Sequence, residues 1–182
     1  MNKLGVALVI MFLSFNINAQ NTKVEQFANQ KGTLIKKEVI SSGLVSSKKD
    51  ILEYVDINVV HFENVVNKSA QIGLKFEYIK DKKKAISYLD EDEIADFIQS
   101  IKLAQEKISA IHLDSVNHNI EFTYTSKSGL QFGYLSIRKE WVPYLLINDN
   151  ALIIEQKAVE DLLFSLETYA KIHINKLKSG TK

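Results

Sequence analysis

The chain contains no cysteine among its 182 residues. This absence excludes a disulfide, a thiolate nucleophile, a cysteine-ligated zinc and an iron–sulfur cluster. It also excludes a bacterial lipoprotein, because the lipid is attached to a cysteine. One proline and seven glycines leave little material for a glycine-rich phosphate loop, and the dinucleotide and P-loop fingerprints are missing. We therefore expect no cofactor and no metal.

A large excess of charge of one sign is also missing. Lys and Arg number 23 against 22 Asp and Glu, which leaves a net charge of +1. Proteins that bind nucleic acid normally carry a strongly basic domain with a clustered patch. Hydrophobic residues make up 46% of the chain and charged residues 25%, which is typical of a folded domain. We expect no nucleic-acid partner.

One short hydrophobic run is present, at the N-terminus. Lys3 precedes an apolar stretch over residues 4–15, and a polar stretch then ends at Ala19. This order is typical of a secretory signal peptide, and the run is shorter than the ~20 residues that cross a bilayer. The sequence predicts a signal peptide over residues 1–19, a single domain over residues 20–182 without a transmembrane segment, and a periplasmic or secreted location.

The predicted signal peptide and three stretches of the remaining chain resemble those of a known group of proteins. The stretches are Gly32–Glu38, Gly73–Tyr78 and Ser87–Ile94. Together with a signal that ends in Ala-Gln and a cysteine-free domain of this size, the chain resembles small exported proteins of Gram-negative bacteria that have no assigned function. The resemblance implies an exported location and no particular chemistry.

Alternating and helical periodicities predict an α+β fold. Residues 52–62 and 72–79 alternate as strands do, residues 85–89 read as a return strand, and two further hairpins are predicted over 119–137 and 142–154. Pro143 favours an edge position because it lacks an N–H group. Helical spacing begins after Asp90 and again over residues 156–177, whereas residues 21–31 form either a frayed segment or a short helix. We predict one antiparallel sheet of six to eight strands with two helices on one face.

A shift of 65 residues superimposes the two helical stretches. Ile94 then falls on Val159, Phe97 on Leu162 and Ile101 on Leu166. Any two amphipathic helices can be aligned in this way, but the shared order of strands followed by a helix is harder to explain by chance. The chain is therefore either one domain without symmetry or two similar halves, over about 51–108 and 116–174.

Two charged clusters and the four histidines have structural explanations. The acids at positions 90–93 open the first long helix, where they suit the helix dipole and a capping box, and four successive helix residues cannot converge on a cation. Lysines 80 and 82–84 suit a solvated turn, with lipid headgroups or an anionic glycan as the alternative contact. His61, His112, His118 and His173 match no metal or catalytic motif, so no catalytic or metal-binding residue is predicted.

The preferred candidate for partner binding surrounds the single tryptophan. Arg138, Trp141 and Tyr144 combine residue types that are favoured at binding hot spots. The predicted function is a non-catalytic, exported interaction module whose partner is a protein, a glycan or a small apolar ligand. The alternative is a small periplasmic hydrolase with two of His61, His112, His118, Glu63 and Asp149 brought together in a cleft.

The signal-peptide prediction has a direct test. Cleavage after Ala19 leaves 182 − 19 = 163 residues. The intact mass of the protein purified from its source should match that shortened chain, or one residue less if the cut follows Gln20. A mass that includes residues 1–19 would contradict the predicted export.

Overall fold

The computed structural model describes residues 21–115 and 118–180. The first half begins with a short helix, α1 (Lys23–Ala28), which is one of the two alternatives predicted for this segment. Four strands follow and pair in sequence order as an antiparallel sheet, here called sheet A: β1 (Ile35–Ser46), β2 (Glu53–Asn64), β3 (Ala70–Lys80) and β4 (Lys83–Asp90). The long helix α2 (Glu91–Ser109) closes the half.

The second half repeats this order with shorter strands. A 3₁₀ turn (Leu113–Ser115) precedes a second antiparallel sheet, sheet B, formed by β5 (Glu121–Thr125), β6 (Gln131–Ile137), β7 (Glu140–Ile147) and β8 (Asn150–Ile153). The chain ends in α3 (Gln156–Phe164), a π-helical segment (Ser165–Ala170) and α4 (Lys171–Gly180). The predicted signal peptide lies outside the described residues.

The α+β class and the antiparallel pairing are confirmed, but the single sheet of six to eight strands is wrong. Two four-stranded sheets are present instead. The free edge of β4 is closed by side chains rather than by a fifth strand, since the Ile86 carbonyl accepts from Asn148 Nδ2 at 2.8 Å and the Tyr88 carbonyl accepts from Ser128 Oγ at 2.5 Å. Both donors stand in turns of sheet B.

Helix α2 joins the two sheets through Phe97. Its apolar stripe is buried, as the helical spacing predicts, and Phe97 is fully buried at its centre. The Phe97 ring lies 5.8 Å from Phe76 of sheet A, 6.3 Å from Phe132 and 5.3 Å from Tyr124 of sheet B. One continuous core therefore serves both halves. No helix within the described ranges is long and apolar enough to cross a membrane.

The two halves have the same order of elements. Helices α2 and α3 begin at residues 91 and 156, which are 65 positions apart, and each follows a four-stranded antiparallel sheet. The first unit begins earlier than residue 51, because β1 at Ile35–Ser46 belongs to it. A common origin of the halves stays a prediction.

Two buried carboxylates fix the start of α2. Asp90 (3% exposed) is the N-cap residue and forms a capping box with Glu93 (6% exposed), which confirms the predicted cap. Asp90 also accepts hydrogen bonds from the backbone N–H groups of Lys23 at 2.9 Å and Val24 at 3.0 Å, at the start of α1. Glu93 accepts from the N–H of Lys127, in the β5–β6 turn, at 2.9 Å. Three segments distant in sequence thus meet at two side chains.

The C-terminal helix contains a π-helical turn that the sequence pattern does not predict. Ser165 opens this turn and lies against Gly43, where a Cβ atom would come within 2.5 Å of the Ser165 hydroxyl. Strand β1 carries a register shift between Ser41 and Gly43 at the same place. Only a glycine therefore lets the strand and the helix approach so closely.

Pro143 lies in an interior strand, so the expected edge position is wrong. It belongs to β7, which pairs with β6 on one side and β8 on the other. The Pro143 carbonyl accepts from Ile154 N at 3.0 Å, one residue beyond the end of β8. Within a strand, the N and O of one residue point to the same side. The missing N–H therefore faces the end of β8, where the ladder has already stopped.

Removing the Asp90 carboxylate should destabilise the whole domain. Asp90→Ala deprives the starts of α1 and α2 of their acceptor, and we expect a loss of about 2–4 kcal/mol in the free energy of unfolding. Asp90→Asn, which keeps one carbonyl oxygen, should lose less. Urea denaturation measures both variants.

The matched control is Asp96→Ala, because Asp96 is an exposed acid of the same helix. It should change the free energy of unfolding by less than about 0.5 kcal/mol. Equal losses in Asp90→Ala and Asp96→Ala would contradict the role given to Asp90.

Candidate functional site

The structure does not bring Arg138, Trp141 and Tyr144 into one patch. Trp141 and Tyr144 are three residues apart in β7, so their side chains project to opposite faces of sheet B. Trp141 packs against the core, with its ring 5.9 Å from that of Phe122. Tyr144 lies on the other face, and Arg138 stands exposed in the β6–β7 turn. Of the three residues, only Arg138 and Tyr144 can contribute to the same surface.

Arg138 occupies a strained turn at the end of sheet B. Arg138 and Lys139 both have positive φ angles, 51° and 66°, between the paired residues Ile137 and Glu140. Two-residue hairpins favour such angles, but Asn and Gly adopt them more readily than Arg and Lys do. Lys139 is held by an ion pair with Asp114 at 3.2 Å. The turn therefore places the exposed Arg138 at one end of sheet B.

The face of sheet B that carries Tyr144 is apolar over most of its area. We call it the outer face of sheet B and define it by seven side chains that alternate onto it: Leu135, Ile137, Val142, Tyr144, Leu146, Ala151 and Ile153. None of the seven belongs to either hydrophobic core cluster. Tyr144 and Leu146 are each 8% exposed, and the other five are partly exposed.

A polar group is set into this outer face beside β5. The Tyr144 ring lies over Gly133, where a Cβ atom would come within 2.7 Å of the Tyr144 hydroxyl. That hydroxyl donates to the Glu121 carboxylate at 2.5 Å and lies 2.8 Å from the Thr123 hydroxyl. Burial raises the pKa of Tyr144, and the hydrogen bond to Glu121 raises it further. The face therefore combines an aliphatic centre with a hydrogen-bonding side.

The acids at the start of α2 come closer together than the sequence analysis expects. Oxygen atoms of Asp90, Asp92 and Glu93 lie within 4.8 Å of one another. Glu91 pairs with Lys178 instead, so the four successive acids do not converge as a set, although three of them come close together. Asp90 precedes the first helical turn, and an N-cap residue can face the third position of the helix. Asp92 is paired with Lys23 at 2.9 Å and Lys127 at 3.6 Å. The Lys23 hydrogen bond is the main reason that the pKa of Asp92 is lowered.

Backbone N–H groups and ammonium groups thus already occupy these carboxylates. Capping and ion pairing account for the cluster without a bound cation. The cleft beside it, about 260 Å³ in volume, is open to solvent and is lined by Lys23 and Gln71 as well as by the acids.

Two residues of the hydrolase alternative, His61 and Glu63, have separate partners. His61 is 2% exposed and its Nδ1 lies 2.9 Å from Glu38, whose pKa is lowered first by that hydrogen bond and then by Lys36. Glu63, two residues along the same strand, pairs with Lys68 at 3.4 Å. Asp149 stands in the β7–β8 turn with a φ of 64°. Only the His61 side of the His61–Glu38 pair is buried, since the Glu38 side chain is 38% exposed and also pairs with Lys36 at 3.2 Å.

The centre of the molecule is closed and well packed. Tyr134, Phe76, Phe97 and Phe132 are among the largest fully buried side chains. A small apolar ligand would need a cavity between the helices and the sheets, and these rings fill that space. The packing favours recognition at the surface over recognition in an interior pocket.

The sequence carries a signal for the outer face of sheet B that alternation analysis misses. Residues 141–147 read WVPYLLI, an almost continuous apolar run, and β6 carries Leu135 and Ile137 after its inward-facing aromatic residues, Phe132 and Tyr134. A strand that is apolar on both sides is expected to be covered on both sides. Here one side meets the core and the other is partly exposed, with Tyr144 and Leu146 each 8% exposed.

Comparison with known proteins adds no analogy. No protein-family model matches the chain, and no curated protein or solved structure is significantly similar to it. The resemblance to small exported proteins stays a prediction. The function is therefore argued from the geometry of this chain alone.

The protonated state of Tyr144 should matter for stability at high pH. Because its pKa in the folded protein is raised above the ordinary value of 10, its contribution to stability is complete below pH 10 and is lost as the pH rises toward the folded value. At pH 11 one such group accounts for a loss of stability on the order of 1 kcal/mol.

Tyr144→Phe should therefore show a smaller loss of unfolding free energy between pH 9 and pH 11 than the wild type. Urea denaturation at several pH values measures the difference. Identical pH profiles for the two proteins would rule out a raised pKa at this position.

Proposed function

We propose that this protein is a non-catalytic, exported interaction module, and that the outer face of sheet B is the surface at which it binds a partner protein. The observation that carries the proposal is a contiguous apolar face whose side chains belong to neither core cluster. Export is inferred from the predicted signal over residues 1–19.

The chemistry of this face favours a protein partner over the other two classes. Protein interfaces have an apolar centre and a polar rim in which aromatic residues and arginine are favoured. Leu135, Val142 and Leu146 supply such a centre, and Glu121 and Arg138 lie at its edges. A pleated sheet face offers no concave pocket for a small ligand.

The size of the face is also adequate. The three strands that carry its side chains, spaced about 4.8 Å apart with roughly six residues each at 3.3 Å, cover on the order of 300 Å² in projection. Patches of a few hundred Å² on a monomer are often functional. A contact of this extent suits a transient or regulated partner.

The experiment replaces two cross-strand neighbours at the centre of the face. Leu135 and Val142 are register partners, and both are partly exposed, so Leu135→Lys with Val142→Lys places two charges in the apolar centre without opening the core. The tagged protein is expressed in its source organism, cross-linked and purified from the periplasmic extract. Proteins captured by the wild type are then quantified by mass spectrometry.

We expect at least one partner to fall by about tenfold or more in the variant, which is the effect of losing a binding hot spot. The matched control is Leu103→Lys with Ile172→Lys, two exposed aliphatic residues on the helices (each 46% exposed). It adds the same charge elsewhere and should retain the partner. Circular dichroism confirms that both variants are folded.

Two outcomes would contradict the proposal. One is that every captured protein decreases equally in the sheet B variant and in the control variant, or decreases in neither. The other is a native mass spectrum in which the wild type carries a small ligand that is released on denaturation.

A further inference from the structure

A second surface lies at one end of sheet A. The loop between β1 and β2 and the turn between β3 and β4 stand next to each other there, because Glu53 at the start of β2 pairs with Lys80 at the end of β3. We call this surface the lysine-rich end of sheet A. It is formed by residues 47–53 and 80–84.

The β1–β2 loop presents two aliphatic side chains to solvent. The Asp50 carbonyl accepts from the N–H of Glu53 at 3.0 Å, which closes a four-residue turn with Ile51 and Leu52 at its centre. The Asp50 carboxylate accepts from the N–H of Leu52 at 2.9 Å. Ile51 is 82% exposed and Leu52 is 66% exposed. Central turn positions usually carry Gly, Asn, Asp or Pro, so two aliphatic residues there need an explanation.

The loop is anchored rather than loose at its base. The N–H of Ser47 donates to the Glu53 carbonyl at 2.8 Å, and the N–H of Lys48 donates to the Ile153 carbonyl of β8 at 2.8 Å. The aliphatic tip therefore projects from a fixed platform. Little conformational entropy remains to be lost when the tip meets a partner.

Positive charge surrounds this tip. Six lysines and three acids lie within residues 47–53 and 80–84, so the local charge is 6 − 3 = +3, against +1 for the whole chain. One of the acids, Glu53, accepts from Tyr78 at 2.6 Å and pairs with Lys80 at 3.3 Å. The remaining cationic side chains that face solvent at this end include Lys48, Lys49, Lys82 and Lys83.

We propose that the lysine-rich end of sheet A docks on an anionic lipid surface. Ile51 and Leu52 enter the boundary between headgroups and acyl chains, while the lysines contact lipid phosphates and keep their ammonium groups in water. A protruding aliphatic tip ringed by lysines suits a soft, negatively charged bilayer better than a rigid protein surface. Single-stranded nucleic acid is disfavoured because this end carries no aromatic side chain on which a base could stack.

The first test measures binding of the purified protein to vesicles by co-sedimentation. We expect binding to phosphatidylcholine vesicles that contain about one third phosphatidylglycerol, and little binding to phosphatidylcholine alone. Ile51→Ser with Leu52→Ser should lower the partition coefficient about tenfold or more, since the aliphatic contact is lost. Because residues 4–15 are themselves apolar, all variants compared must share the same N-terminus, as measured by intact mass.

The chain offers a matched control at the opposite end of the same sheet. Leu34 (65% exposed) and Val66 (79% exposed) form another exposed aliphatic pair, beside the β2–β3 turn. Leu34→Ser with Val66→Ser should leave vesicle binding unchanged. Equal losses in both double variants, or no binding of the wild type to the anionic vesicles, would overturn the proposal.

The second test concerns charge. Replacing Lys48, Lys49, Lys82 and Lys83 with Gln should weaken binding by about fivefold per lysine at low salt. Binding of the wild type should decrease strongly in roughly 0.5 M salt, where the Debye length is only about 4 Å. Replacing the exposed helical residues Lys107, Lys157, Lys171 and Lys176 removes the same charge from elsewhere and should have a much smaller effect.

The third test locates the contact, and the absence of cysteine makes it straightforward. Ile51→Cys and the control Val66→Cys each give one site for an environment-sensitive fluorophore. Anionic vesicles should shift the emission of the label at position 51 to shorter wavelength and leave that at position 66 unchanged. The proposal would be overturned if binding depended on charge alone, with no emission shift at position 51 and no effect of replacing the aliphatic pair. It would also be overturned if the tip were cross-linked to a protein but bound no vesicles. These results are independent of the outcome for sheet B.

Discussion

The structure depends on two buried carboxylates at the start of α2. Burying charge is costly unless hydrogen-bond donors surround it, and Asp90 and Glu93 are surrounded by backbone N–H groups from α1, from α2 and from the β5–β6 turn. These bonds set where α2 begins and how it lies between the sheets. Phe97, four residues after Glu93, then lies between Phe76 and Phe132 and closes the core. The polar junction fixes the position of the helix, and the apolar stripe supplies the burial.

The near-zero net charge conceals a separation of charge along sheet A. Strand β4 starts beside a turn rich in lysine and ends at the acids that open α2, so local groups of each sign stand at its two ends. The acids are occupied in holding the fold together, whereas several of the lysines face solvent. The overall balance of charge therefore argues against a broad electrostatic surface and leaves room for a local one. The outer face of sheet B is apolar instead, so the two proposed surfaces would recognise different chemistry.

Much of the local structure follows from the sequence, because its causes act within a few residues. Alternation predicts strands near residues 52–62 and 72–79, helical spacing predicts α2, and the capping pair of Asp90 and Glu93 marks its start. The predicted partner patch fails for an equally local reason. Arg138, Trp141 and Tyr144 are close in sequence, but three positions along a strand reverse the side of the sheet, so Trp141 joins the core and Tyr144 does not.

By itself the sequence determined the antiparallel α+β class, the order of strands and helices, and the caps and turns that separate them. The tertiary structure alone decided that the strands divide into two sheets, that Pro143 can sit in an interior strand, and that three of the acids converge. It also decided that Ile51 and Leu52 stand beside Lys82 and Lys83, some thirty positions later in the chain. Such outcomes depend on which strands pair and in which register. Register within a hairpin follows from the alternation and the turn, but how the two sheets and the helices pack depends on contacts distant in sequence, which no local pattern of residues encodes.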